Sequence, residues 1–94
     1  MSPKNKIKLE LLRKKLDRLD SELLKVIKKR TDLVKNVLKL KKYKKEIVDK
    51  KRINFILRKI YTKSKKFKID PKITYRIWKN MIWSYIEFEK RNFK

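Results

Sequence analysis

In the first half of the chain the apolar positions fall at Leu9, Leu12, Leu16, Leu19, Leu23, Val26, Ile27, Val34, Val37 and Leu38. Steps of three and four alternate, which lays these side chains along one stripe and predicts a single long α-helix over about Leu9 to Lys41. No Gly or Pro interrupts it. At ~1.5 Å per residue the stretch makes a rod of about 50 Å, longer than a domain of this size is wide. Such a rod cannot bury its stripe within its own chain, so the pattern predicts that a second copy shares it.

The pattern weakens from Lys42 to Val48, a basic turn that leads into the apolar pair Ile47 and Val48. Asp49 then stands where a carboxylate can accept from the free amides two and three residues on. Ile53, Ile56, Leu57 and Ile60 keep helical spacing and predict a second helix from about Asp49 to Ser64. Lys63 to Lys68 reads as a loop. Ile69-Asp70-Pro71 is a start signal, with Asp at the N-cap and Pro at the first helical position of a third helix that runs to about Arg91. Its inward stripe is expected at Ile73, Ile77, Met81, Ile82, Tyr85 and Phe88 or Glu89, with Trp78 and Trp83 alongside. Nothing reads as a strand, so the expected fold is all-α, with three helices of long, short and medium length. Residues 1 to 7 are polar and expected to fray, with Pro3 tolerable only before or at a helix start.

A chain of 94 residues implies one domain over 1–94, with a small core that gains from association. The absence of Cys and His removes thiolate chemistry and the commonest metal ligand and general base. Chemistry must come from carboxylates, Lys, Arg, Tyr or positioned dipoles, and no metal site is expected. No run is apolar enough to span a membrane, and Met-Ser-Pro-Lys-Asn-Lys lacks the core of a signal peptide, so a soluble cytoplasmic protein is expected. The net charge of +22 favours polyanions through counterion release, which makes nucleic acid the alternative partner. Yet Gly and Ala are both absent while Lys, Ile, Asn, Phe and Tyr are plentiful. That is the composition of an AT-rich coding sequence, and the charge reads mainly as composition. The aromatics of the third helix, at helical spacing, read as core rather than as stacking platforms for bases.

Against this background a few side chains stand out. Arg30 and Lys41 are eleven positions apart, which at ~100° per residue returns to nearly the same azimuth and faces both toward the core. Arg13 lies about 25 Å from Arg30 along the axis, so the two can share a site only across an antiparallel pair of helices. Arginine is the scarcer basic type here, seven of 32, and its planar fork suits carboxylates. Arg52 follows the Asp49 cap by one turn, beside Ile53 and Ile56. Glu89 follows Tyr85 by one turn and is expected to point inward, where a carboxylate needs a partner or a proton.

In this order and spacing the chain resembles the all-helical, AroQ-type chorismate mutase family. The resemblance covers roughly Leu11 to Phe93. It rests on Leu12-Arg13-Lys14-Lys15-Leu16-Asp17-Arg18-Leu19-Asp20, Leu23-Leu24, Lys29-Arg30, Val37 through Lys41, Ile47-Val48-Asp49-Lys50-Lys51-Arg52, and Ile69-Asp70. Arg13, Arg30 and Arg52 fall on the family's arginine positions. The resemblance implies an intertwined six-helix homodimer with two identical sites, which converts chorismate to prephenate in aromatic amino-acid biosynthesis. That reaction is a unimolecular Claisen rearrangement with no cofactor and no covalent intermediate. It further implies that Arg30 and the second copy's Arg13 clamp the two carboxylates of the dianionic substrate, and that Lys41 donates to the ether oxygen. Arg52 would support the site, Asp49 would hold the ring hydroxyl, and Ile53, Tyr85 and Glu89 would line it.

Two positions depart from the family pattern. Ile53 stands where a Glu commonly binds the ring hydroxyl, and Glu89 stands where many members have Gln. A neutral Glu89 can donate to the ether oxygen and an ionised one would repel it, so activity is expected to fall as pH rises. Isochorismate pyruvate-lyases share the fold, carry an apolar residue where Ile53 stands, and have an aromatic-rich third helix like Ile82-Trp83-Ser84-Tyr85-Ile86. They give the alternative reaction. The reading from another class, a basic helical nucleic-acid-binding protein, predicts a steep salt dependence and no dependence on Arg13 or Arg30 individually.

Overall fold

The computed structural model describes residues 1–94. It is all-helical, with α1 over Pro3–Leu40, a 3-10 turn over Lys44–Glu46, α2 over Lys50–Lys66 and α3 over Pro71–Asn92. The long, short and medium order is the one the apolar spacing predicts. The chain divides into two units, Met1–Leu33 and Val34–Lys94.

From Pro3 onward the first unit consists of α1. The helix begins at Pro3, six residues before the apolar stripe, and the polar residues expected to fray are helical. Ser2 explains the difference, because its Oγ accepts from the Asn5 N–H at 3.2 Å, and Pro at the first helical position gives up an amide that would have had no partner. Along the helix Arg13 pairs with Glu10 at 3.4 Å and Lys28 with Asp32 at 2.8 Å. Each such exposed pair contributes about 0.3–0.5 kcal/mol. Packing contributes little, since α1 buries none of its residues. Leu12, Leu16, Leu19 and Leu23 are 56%, 57%, 59% and 55% exposed, so residues 1–33 carry an intact apolar stripe and no core of their own.

The second unit contains the last turns of α1, the 3-10 turn, α2 and α3. Its core is Ile47, Ile82 and Ile86, with Leu38, Val48, Ile53, Ile56, Leu57 and Phe93 packed against it. Asp49 caps α2 as its sequence position predicts, accepting from the Arg52 N–H at 3.0 Å. Asp70 caps α3 by accepting from the Lys72 N–H at 2.9 Å, with Pro71 at the first helical position.

Between these helices the structure differs from the expected loop. α2 runs on to Lys66 because Ser64 is buried and doubly bonded, donating to the Ile60 carbonyl at 2.6 Å and sharing a 2.6 Å bond with the Thr74 hydroxyl. The helix then closes with two bonds, Ile69 N–H to the Ser64 carbonyl at 2.8 Å and Lys68 N–H to the Lys65 carbonyl at 3.1 Å. This closure needs a left-handed residue, and Lys68 supplies it at φ 57°. Glycine usually holds that position because a Cβ there costs about 1–2 kcal/mol. The chain contains no Gly.

The buried stripe of α3 is also shifted from expectation. Thr74, Ile82, Ile86 and Glu89 are buried, whereas Ile73 and Ile77 are 56% and 52% exposed. The Ser64–Thr74 bond turns Thr74 toward α2, and residues one helical turn apart follow it inward. No helix is long and apolar enough to cross a membrane.

Candidate active site

Within the second unit, Ile82, Ile86 and Glu89 are buried together on α3. A carboxylate on such a face loses its hydration, a cost of several kcal/mol unless a cation offsets it. Lys41 is that cation. It follows α1 directly, where its N–H closes a last tight turn on the Leu38 carbonyl at 3.1 Å. Its Nζ donates to both carboxylate oxygens of Glu89, at 3.1 and 3.3 Å. The two side chains retain only 18% and 8% of their exposure. The inward Glu89 expected from the sequence is therefore present, and its partner is a residue singled out on other grounds.

Lys41 also borders a recess of about 540 Å³ together with Glu46, Val48, Asp49, Lys50 and Lys51. Here the structure brings Lys41 and Asp49 to one cavity. The Asp49 carboxylate spends one oxygen on the α2 cap, which fixes its orientation. Glu46 was not singled out in the sequence, since it sits among lysines in a turn that reads as solvated charge. Its Oε1 accepts from the Tyr43 N–H at 3.3 Å, which holds it over the turn. Its offset from Asp49 within a run of turn residues carries no periodic signal that would have marked it.

The other expected site residues are placed as follows. The Arg52 guanidinium lies 5.3 Å from the centre of the Phe55 ring, a favourable stacking distance for a cation over an aromatic face. Ile53 is partly buried and packs against Ile47, Ile82 and Ile86. Tyr85 is half-buried on α3, one turn before Glu89. Arg13 and Arg30 belong to the first unit. Arg13 is exposed and engaged with Glu10, and Arg30 is half-buried. No group of three or more His, Cys, Asp or Glu side chains is arranged to hold a metal ion.

Chemically, an ammonium held in a largely buried ion pair can donate a strong hydrogen bond to an oxygen that gains negative charge. The fold is all-helical, and its recess carries charges of both signs. The chain belongs to the chorismate mutase type II family, whose model matches residues 12–90. No curated protein and no solved structure matches it.

Proposed function

We propose that the chain is a chorismate mutase that rearranges chorismate to prephenate as a homodimer. The observation that carries the reading is the Lys41–Glu89 pair, because a family member needs a donor and a second polar group facing the breaking ether bond, and these two side chains meet at 3.1 Å in a nearly closed environment. On substrate binding Lys41 donates to the ether oxygen as charge builds there, and the Glu89 carboxylate holds the Lys41 ammonium in place. Arg30 and the second copy's Arg13 each take one substrate carboxylate in a bidentate clamp that holds the folded, near-attack conformer. Arg52 supports the clamp from α2, Asp49 holds the ring hydroxyl, and Ile53 and Tyr85 bound the space.

Support for the dimer comes from the leucines of α1. Four of them, Leu12, Leu16, Leu19 and Leu23, are each more than half exposed on one stripe. Covering each would contribute about 1 kcal/mol, and a continuous apolar patch of this kind is a protein–protein contact surface. The single domain of residues 1–94 is then one half of a six-helix assembly.

One observation favours a second reaction on the same scaffold. Ile53 packs into the core and offers no carboxylate for a ring hydroxyl, as in isochorismate pyruvate-lyases, which eliminate pyruvate from the isomeric dianion. The test is an absorbance assay with purified protein and chorismate, with Arg30→Ala as control. Prephenate formation that the control abolishes supports the mutase. Pyruvate released from isochorismate, with chorismate untouched, replaces the mutase by the lyase. No turnover of either substrate refutes both.

A further inference from the structure

The basic charge is not spread evenly over the helices. α1 carries thirteen Lys or Arg and five Asp or Glu in 38 residues. α2 reaches the same net charge, +8, in 17 residues, with eight Lys or Arg and no Asp or Glu. A coding bias toward lysine does not by itself clear one helix of carboxylates. The ion pairs of the chain, Arg13–Glu10, Lys28–Asp32 and Lys41–Glu89, all lie outside α2. Lysines near a helix C-terminus serve its dipole, but that use accounts for only about half a charge. The core-facing side chains of α2 are Ile53, Ile56, Leu57, Ile60 and Ser64, which span an arc of about 100° around the helix. The rest of its circumference is exposed and holds all eight cations. Two aromatic rings stand among them, Phe55 at 44% and Tyr61 at 53% exposure. The Arg52 guanidinium and the Lys59 ammonium lie 5.3 and 5.5 Å from the centre of the Phe55 ring, and the Lys65 ammonium lies 5.3 Å from that of Tyr61.

The placement of the rings decides among anionic partners. Phe55 and Tyr61 are six residues apart, which sets them about 120° apart around the axis. A helix that lies in a bilayer collects its apolar side chains on one face, so this face does not fit a membrane. Nor does it offer a continuous apolar seat for the leucine stripe of a second copy. An acidic protein segment would satisfy the cations and leave the rings without a role. A single-stranded nucleic acid uses both, because its phosphates match the cations and every base has a face that stacks on an aromatic ring. A stacked base is worth more than an exposed cation–π contact, so the ammonium yields the ring and stays within reach of the adjoining phosphate. Phe55, Lys59, Lys63 and Lys66 follow one another at steps of four and three along one strip. We infer that the outer face of α2 binds single-stranded nucleic acid, with Lys59, Lys63 and Lys66 along the phosphates and Phe55, with Tyr61 on the flank, stacked on bases.

The experiment titrates the full chain into fluorescein-labelled oligothymidylate and oligouridylate, read by anisotropy, with a DNA duplex, polyglutamate and phosphatidylglycerol vesicles as comparison probes. The result expected is saturable binding to single strands, about tenfold tighter than to duplex or polyglutamate. Neutralising about four phosphates should make that affinity fall about 50-fold between about 50 and 200 mM salt. Lys59→Gln/Lys63→Gln/Lys66→Gln, altered only at exposed side chains, should weaken binding by about tenfold and flatten the logarithmic salt slope by about two. Lys4→Gln/Lys8→Gln/Lys15→Gln removes the same charge from α1 and should change affinity by less than about twofold. Phe55→Leu keeps both charge and apolar burial and should weaken binding by about tenfold, while Phe55→Tyr should bind as the parent does. Equal losses from the two triple variants would assign the binding to bulk charge and overturn the proposal. Affinity for polyglutamate or vesicles as high as for single strands, or no effect of Phe55→Leu, would overturn it as well. Arg30→Ala should bind oligothymidylate within about twofold of the parent, which separates this face from the proposed substrate clamp. None of these readouts requires turnover, so the result stands whether or not the proposed reaction is correct.

Discussion

Removing one member of the Lys41–Glu89 pair should destabilise the chain far more than removing both. At 3.1 Å two unit charges attract by about 5 kcal/mol if the effective dielectric constant is about 20. Water still reaches Lys41, whose side chain is 18% exposed, so the loss on breaking the pair should sit near the low end of the range for buried pairs, about 3 kcal/mol. In Lys41→Met the stranded group is the Glu89 carboxylate, the more buried of the two at 8%, and the full cost of about 3 kcal/mol should appear. In Glu89→Leu the stranded ammonium can partly rehydrate and the leucine adds apolar burial, so the net loss should be nearer 2 kcal/mol. The double variant Lys41→Met/Glu89→Leu should return to within about 1 kcal/mol of the parent, which makes the coupling energy roughly 4 kcal/mol or more. Urea unfolding followed by circular dichroism measures all four proteins, at one fixed concentration because association adds to apparent stability. A coupling below about 0.5 kcal/mol, the value of an exposed surface pair, would refute the argument that burial gives this contact its weight.

Three further outcomes are expected. Lys68→Gly should stabilise the chain by about 1 kcal/mol, raising the melting temperature by roughly 4–8 °C in a thermal scan, because the left-handed turn at φ 57° no longer carries a Cβ. Ser64→Ala should cost about 1–2 kcal/mol in urea unfolding, since it leaves the Thr74 hydroxyl with only a 3.4 Å contact to the Pro71 carbonyl. Leu16→Glu/Leu23→Glu, at two exposed positions of the α1 stripe, should abolish self-association in sedimentation equilibrium and make the urea midpoint independent of protein concentration.

Helix content was legible because three separate signals agreed. The stripe of α1, the caps at Asp49 and Asp70-Pro71, and the spacing of Ile53 to Ile60 are all local in sequence and act locally in space. What escaped depends on distant partners. Hydropathy ranks Ile73 and Ile77 above Thr74, yet Thr74 is buried because Ser64, ten residues away, offers it a hydroxyl. Lys68 gives no hint of a left-handed turn in a chain without glycine. Of the site, Glu89 was legible from its distance to Tyr85 and Lys41 from its azimuth on α1, but their pairing was not, since helical spacing says which face a side chain takes and not whom it meets. Glu46 lay hidden among lysines for the same reason. Arg13 and Arg30 stand out only through arginine's scarcity among so many lysines.

The Lys41–Glu89 contact joins positions 48 apart in sequence, farther than any other side-chain hydrogen bond described above. Loop closure over that span becomes favourable only after α2 and α3 have formed and docked. A substitution at Glu89 should therefore hasten unfolding while leaving the folding rate nearly unchanged. A chain caught earlier would already hold its helices and yet offer a lone, hydrated lysine where the finished protein has a desolvated pair. A population that stops short of that docking lacks the buried ion pair, whatever its helix content.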